Sequence, residues 1–414
     1  MQRYYSIPLI WLVVVAALLA VGFWLLGATA LVAPIPGLGL SLAQLAKDSL
    51  FVPLRPIMYA LIIMSIAASV AVSTGGLGAK FARVLGFFVG FSLIGVLVAV
   101  AAYSLFPIQV FATPQDLGMV DTEMAEAIPF ARKIYGVLTS PLMISIYGGL
   151  ILGRAVKRLE AASRPGLGRE FDAVSDLFIA GFVKFLWITI PLAVFGSLTL
   201  ALNRPGGVET LAQLAKLLPV YLGSMLVVWI LMIVIASRVL GNGMNHMLRA
   251  LLPQAVVAFA TSSSMATLPA TRRACDDLGA DADESAPFYT IGATVNMVGT
   301  LMGLTLISLY GMQAYGVQPD IADRFIVAFQ SMIYATSAAG VPSSSVVLLQ
   351  EILASQGVSL EFGTYIVGLI ITLDTLVLDR MRTVLNTQSD SMSTASGLKI
   401  YHRKPAILGE EPAE

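Results

Sequence analysis

Charge is scarce in this chain. Only 12% of its 414 residues are Asp, Glu, Lys or Arg, against about 25% in ordinary soluble domains. The 25 basic and 25 acidic residues cancel, so the charge balance gives no reason to expect nucleic acid as a partner. His246 and His402 are the only histidines, and no His-based catalytic constellation can be assembled from them. The single cysteine, Cys275, excludes an internal disulfide and says little about redox compartment. No nucleotide-binding fingerprint and no cluster of metal-ligating side chains is found, so neither an enzyme nor an organic cofactor is expected.

What the chain has instead is apolar length, with 57% of its residues hydrophobic. Runs near 7–32, 52–73, 84–106, 135–153, 174–201 and 216–240 approach the ~20 residues a helix needs to cross a bilayer. The ten-residue alternating segments of a membrane barrel are not seen. With the later segments, the length accommodates eight spans, and the expected class is an all-α membrane protein. Arg3 precedes the first run, which exceeds the ~7–15-residue core of a signal peptide. It is read as a retained span despite the cleavage-like Ala28-Thr29-Ala30.

After residue 240 the pattern changes. Segments 250–275 and 325–357 are broken by Ser, Gly and Pro, and each is followed by a long hydrophobic segment, 286–312 and 361–397. Interrupted segments in paired positions point to a transporter's binding site, because unwound backbone at membrane depth must be buried or line a cavity. Both are read as re-entrant hairpins, turning at Ser262-Ser263-Ser264 and Gly340-Val341-Pro342. The map is six spans in 1–240, hairpin 1, span seven, hairpin 2, span eight, and a tail over 398–414. Arg154, Lys157, Arg158, Arg238, Arg249, Arg272 and Arg273 fall on one side of this map. Positive-inside bias makes that side cytoplasmic, places both termini there, and suits a bacterial inner membrane. The hairpins then enter from opposite sides, as an inverted repeat requires.

Span eight carries Asp379, Arg382, Asn386 and Asp390 at spacings of three, four and four. On a helix they fall within about 80° of arc and about 16 Å of axis. An Asp or Arg at a bilayer centre costs roughly 2.5–3.5 kcal/mol even on the lenient insertion scale. Such a stripe must therefore face protein, water or a ligand, and its mixed signs suit a zwitterionic or anionic solute together with a cation.

Four stretches in order resemble the dicarboxylate/amino acid:cation symporters, the glutamate transporter family. They are Thr261-Ser-Ser-Ser-Met-Ala-Thr-Leu-Pro269, Gly292-Ala-Thr-Val-Asn-Met-Val-Gly-Thr300, Gly340-Val-Pro342, and Asp379-Arg-Met-Arg-Thr-Val-Leu-Asn386 running on to Asp390. The resemblance is good over about 250–395 and diffuse before it. It implies a homotrimer of subunits with eight spans and two hairpins, working as an elevator in which a hairpin-containing domain, with helices 3 and 6, moves against a scaffold. It also implies site roles. Arg382 would pair with a substrate side-chain carboxylate, and Asp379 would hold the amino group. Thr383, Asn386, Ser263, Ser264 and the backbone at Gly340 and Val341 would hold the α-carboxylate region, with Thr300 on the distal group. Asn386, Asp390 and the backbone carbonyls of Gly292 and Asn296 would bind the coupling ion, Na⁺ or H⁺. Guanidinium–carboxylate pairing and an all-oxygen cation shell are sound chemistry without the analogy.

The departures are specific. Val298 stands where the family has Asp, and Ser92, Gly95 and Val96 align with its oxygen-bearing third-span ligands, so one cation site reads as dismantled. Met265 replaces a Ser and Ser389 a Gly. The acid expected four residues before Asp379 is Thr375, and Asp374 would point about 140° away on a regular helix. Simpler readings stand beside these roles: an i,i+3 ion pair for Asp379–Arg382, helix capping for the serines, a packing amide for Asn296, and a bridge to hairpin 1 for Arg380. The leading expectation is a symporter for an acidic amino acid or dicarboxylate. The alternative is a transporter-derived sensor that binds its solute without coupled flux. A hairpin-serine hydrolase is disfavoured, since no base accompanies the serines.

Overall fold

The computed structural model describes residues 9–25, 38–72, 78–116, 130–162, 164–204, 206–337 and 345–403. Every regular element among them is a helix. The first half comprises α1 (Leu9–Leu25), α2 (Leu38–Val72), α3 (Gly78–Leu105), α4 (Phe130–Leu138), α5 (Pro141–Ala162), α6 (Leu167–Leu202), α7 (Gly207–Ala215) and α8 (Leu217–Leu240). The second half comprises α9 (Met244–Thr261), α10 (Ser264–Asp277), α11 (Ala282–Val295), α12 (Val298–Ala314), α13 (Ile321–Ala335), α14 (Ser345–Ser355), α15 (Leu360–Leu373) and α16 (Asp379–Arg403).

Among the described residues, six helical stretches are long and apolar enough to cross a bilayer, and a seventh if α4 and α5, bent by 47°, form one span. The chain is thus a multi-pass membrane protein. The bend has a local cause. Ser140 accepts from the Met143 N–H at 3.2 Å, and Pro141 takes the first helical position, where its missing donor costs nothing. The predicted first span appears as α1, 17 residues long, or about 26 Å against a hydrocarbon core of about 30 Å. Helix α16 runs to Arg403, past the predicted end at 397, and residues 404–414 of the predicted tail lie outside the described residues.

Helix α2 packs on α5 and α6 through backbone-to-backbone approaches at glycine. A Cβ on Gly196 would sit 2.3 Å from the Ala43 carbonyl oxygen, and one on Gly153 2.6 Å from that of Ala67. Such small-residue contacts substitute for a hydrophobic driving force between helices in lipid.

The two segments read as hairpins each hold a pair of helices in contact, α9–α10 and α13–α14. In the first, Ser262 ends α9 with φ 52°, the one positive-φ non-glycine among the described residues. Ser263 then caps α10 by accepting from the Ala266 N–H at 3.2 Å. Gln254 Nε2 joins the legs by donating to Thr271 Oγ1 (2.9 Å), and it ties them to α16 by donating to the Thr387 carbonyl (2.7 Å). In the second, Gln330 Nε2 donates to Ser355 Oγ at 2.8 Å. The tip of hairpin 2, with Gly340, Val341 and Pro342, lies outside the described residues.

The helices that follow the hairpins are themselves interrupted. Between α11 and α12 the chain leaves helical geometry at Asn296 (φ −95°, ψ 76°) and Met297 (φ −106°, ψ 55°). Between α15 and α16 a π-helical turn, Asp374–Leu378, keeps the helix continuous but changes its phase. Helix α12 is enclosed almost throughout, and α16 lies against α3 and α8 to α12. That enclosure takes in its polar run: Asn386, Thr387, Gln388, Ser389, Asp390, Ser391, Ser393, Thr394 and Ser396 are all buried.

Candidate functional site

Arg382 is the centre of the site. Its Nη1 donates to Asp374 Oδ1 (2.6 Å) and to the Tyr221 hydroxyl (3.3 Å). Its Nη2 donates to Ser345 Oγ (2.7 Å), Asp374 Oδ2 (3.0 Å) and Asp379 Oδ1 (2.8 Å). The predicted Asp379–Arg382 ion pair is thus present as one limb of a triad in which Arg382 and Asp374 are both fully enclosed.

The Asp374 contact corrects the sequence expectation. Wound as a π turn, residues 374–378 let the Asp379 N–H donate to the Asp374 carbonyl five residues back. The wider turn absorbs one extra residue and rotates Asp374 onto the stripe that a regular helix would deny it. Asp374 is thus an acid beside Arg382, five residues before Asp379 instead of four. Thr375, the in-register residue, donates to the Ile371 carbonyl within its own helix at 2.8 Å.

Glycines make this packing possible. A Cβ on Gly303 would fall 2.3 Å from the Tyr221 hydroxyl and 2.9 Å from Arg382 Cδ, and one on Gly299 would fall 2.6 Å from the Arg382 carbonyl oxygen. Gly299→Ala is expected to push α12 off α16. It would lengthen the Gly299 N–H bond to Asn386 Oδ1, now 2.7 Å. Overpacking of this kind costs about 1–3 kcal/mol, to be read as a lowered Tm of the purified protein; an unchanged Tm would mean the helices can separate freely.

One turn further along α16, Asn386 Oδ1 accepts from the N–H groups of Gly299 (2.7 Å) and Thr300 (3.3 Å) at the start of α12, and its Nδ2 donates to Thr300 Oγ1 at 3.0 Å. The Thr383 hydroxyl donates to the Asp379 carbonyl at 2.8 Å. Ser264 is buried at the head of α10, while the Ser263 hydroxyl is engaged as the cap. Arg380 points the other way around α16 and bridges to hairpin 1, as expected. Its Nη1 donates to the carbonyls of Phe259 (2.6 Å) and Ala260 (3.0 Å) at the end of α9.

Deeper still, Asp390 Oδ1 accepts from Asn296 Nδ2 at 2.9 Å, and that amide also donates to Ser389 Oγ at 2.8 Å. Asn296 Oδ1 is buried without a hydrogen-bond partner. A Cβ on Gly292 would sit 2.7 Å from Asp390 Oδ1, so only glycine lets the two meet. A buried carboxylate beside an orphaned amide oxygen is a donor set for a hard cation or a proton. Of the residues expected to hold the cation, Asn296 meets Asp390 through its side chain and not its carbonyl, the Gly292 carbonyl accepts from the Asn296 N–H at 2.8 Å, and the Asn386 amide oxygen is spent on α12.

The substituted positions also meet. A Cβ on Gly95 would fall 3.2 Å from Val298 Cγ1 and 3.3 Å from Leu301 Cδ1, and Val298 and Val96 are buried. Where the family pattern calls for oxygen ligands, α3 and α12 make an apolar seam. Tyr221, by contrast, had no signal in the sequence: it is a lone polar residue whose role comes only from where its helix is placed, while Ser345 ends the serine run after Pro342 in the second interrupted segment.

The profile of the sodium:dicarboxylate symporter family matches residues 9–397, and the chain belongs to that family. Curated relatives include serine/threonine transporters SstT of Streptococcus agalactiae, from serotype III and serotype V strains. Each is 23% identical over 327 residues, covering 76% of this chain and 79% of the relative.

Proposed function

We propose that this chain is a cation-coupled symporter for a small amino acid with an uncharged, polar side chain. The observation that supports this reading is the engagement of Arg382. Asp374 grips its guanidinium in a two-point bond, and Asp379 and Ser345 take further donors. Two carboxylates around one guanidinium leave the triad formally one negative charge in excess, which a substrate ammonium at Asp379 would neutralise. A substrate carboxylate on Arg382, as first expected, would have to displace Asp374 and leave that carboxylate buried and unpaired. The names of the SstT relatives agree with a hydroxyl-bearing side chain.

The α-carboxylate would lie between hairpin 1, at Ser264, and the α12–α16 contact at Thr300, Thr383 and Asn386. The coupling ion, Na⁺ or H⁺, would sit at Asp390 and Asn296. Movement of the hairpins with α12 and α16 against α2, α5 and α6, assembly as a homotrimer, and cytoplasmic termini complete the proposal.

Uptake of labelled serine into proteoliposomes, with and without an inward Na⁺ or H⁺ gradient, tests it. Serine and threonine should compete at least about tenfold better than aspartate, glutamate or succinate, a difference of about 1.4 kcal/mol. Preference for aspartate would overturn the assignment, and binding without flux would mean a sensor.

A further inference from the structure

A polar cavity lies between α2, α6 and α15. It has a volume of about 200 Å³, and its lining includes Gln44, Lys47, Ser197, Arg204, Glu361 and Tyr365. It opens where α6 ends at Leu202 and α15 begins at Leu360, at the ends of two spans. That is the level at which a bilayer presents its headgroups.

Its charges are poorly matched internally. The one ion pair that Lys47 makes among the described residues is with its chain neighbour Asp48, at 3.9 Å, and neither Arg204 nor Glu361 forms any there. The Arg204 guanidinium is held over the Tyr365 ring, 5.3 Å from its centroid, with Nη1 buried and lacking an acceptor. Ser197 is 6% exposed, and its hydroxyl too is buried without a partner. Unsatisfied buried groups of this kind call for a ligand. Two cations on the α2–α6 wall call for an anion, and a carboxylate on the α15 wall calls for a cation.

We propose that this cavity binds the headgroup of an amine-bearing phospholipid, phosphatidylethanolamine. Its phosphate sits on Lys47, Arg204 and the Ser197 hydroxyl, and its ammonium sits on Glu361. A simple anion satisfies the two cations but meets Glu361 as a like charge. A choline headgroup carries the positive charge without an N–H to donate. Because the cavity joins α6 to α15, which leads directly into the Asp374 turn, an occupied site braces the helix that carries the substrate site.

Native mass spectrometry of the full-length, delipidated protein, titrated with phosphatidylethanolamine, phosphatidylglycerol or phosphatidylcholine, tests this. The ethanolamine lipid should be retained about fivefold or more over the others, on the order of 1 kcal/mol. Lys47→Gln with Arg204→Gln should lower retention of both the ethanolamine and glycerol lipids about tenfold. Glu361→Gln, at an exposed residue, should remove the ethanolamine preference while raising glycerol-lipid retention, since the like charge is gone; this distinguishes a lost site from a misfolded chain. Equal retention of all three lipids, or of the ethanolamine lipid by the wild type and the double variant, overturns the proposal. Displacement of the lipid by millimolar inorganic phosphate or free phosphoethanolamine would overturn it too, by making the occupant a soluble anion.

Discussion

Arg382→Ala is expected to cost the protein about 3–5 kcal/mol, the usual penalty for removing one partner from a buried charge cluster. It would leave Asp374 and Asp379 facing each other across a void. The loss should appear as a large fall in Tm with no substrate-induced stabilisation. Asp374→Asn should behave oppositely. The side chain keeps its shape and an acceptor for Arg382 Nη1, now at 2.6 Å, but the competing negative charge is gone. Arg382 is then free to take a substrate carboxylate in bidentate fashion. Uptake should move from serine towards aspartate by at least about tenfold, or 1.4 kcal/mol. A substrate range unchanged in Asp374→Asn would show that this carboxylate does not set selectivity. A Tm unchanged in Arg382→Ala would show that the cluster is not load-sharing within the fold.

This site marks where sequence reasoning succeeds and where it stops. The stripe Asp379, Arg382, Asn386, Asp390 was legible because expelled charge at regular spacing is a strong signal, and the structure keeps all four buried or nearly so. At the serine-rich tip of hairpin 1 the structure shows the simpler of the two readings, since Ser263 caps α10. Asp374 was misplaced because periodicity assumes 100° per residue throughout, and a single π turn changes the phase without altering composition. The inference that the expected acid was absent followed from that one assumption, whereas the pairing of Arg382 with a substrate carboxylate came from the resemblance. Burial of Ser393, Thr394 and Ser396 was equally illegible. A polar run at the end of a span reads as emerging into water, and only the packing of α16 on its neighbours, as where Gly397 meets Val84 of α3, shows otherwise. Val298 and Gly95 mark the opposite case. Far apart in sequence, they were paired through the resemblance, and the α3–α12 seam brings them into contact.

That seam sets the second large effect. The single carboxylate left among the predicted cation ligands is Asp390, so Asp390→Asn should abolish ion-dependent stabilisation and lower substrate affinity by the same factor as ion affinity, because coupling between sites is reciprocal. Val298→Asp should not create a second ion site. The new carboxylate would sit against Gly95 of α3, where Leu301 and Met302 also pack, and neither Gly95 nor Val96 offers it a side-chain oxygen to share a cation. A buried, unpaired ion costs several kcal/mol, so the Tm should fall steeply and added Na⁺ should not rescue it. Reversal potentials of the reconstituted wild type should correspond to fewer ions per substrate than an intact pair of carboxylate sites would couple. Three Na⁺ per substrate, or Na⁺ rescue of Val298→Asp, would mean that oxygen ligands are supplied from elsewhere and that the apolar seam is not where the ion was lost.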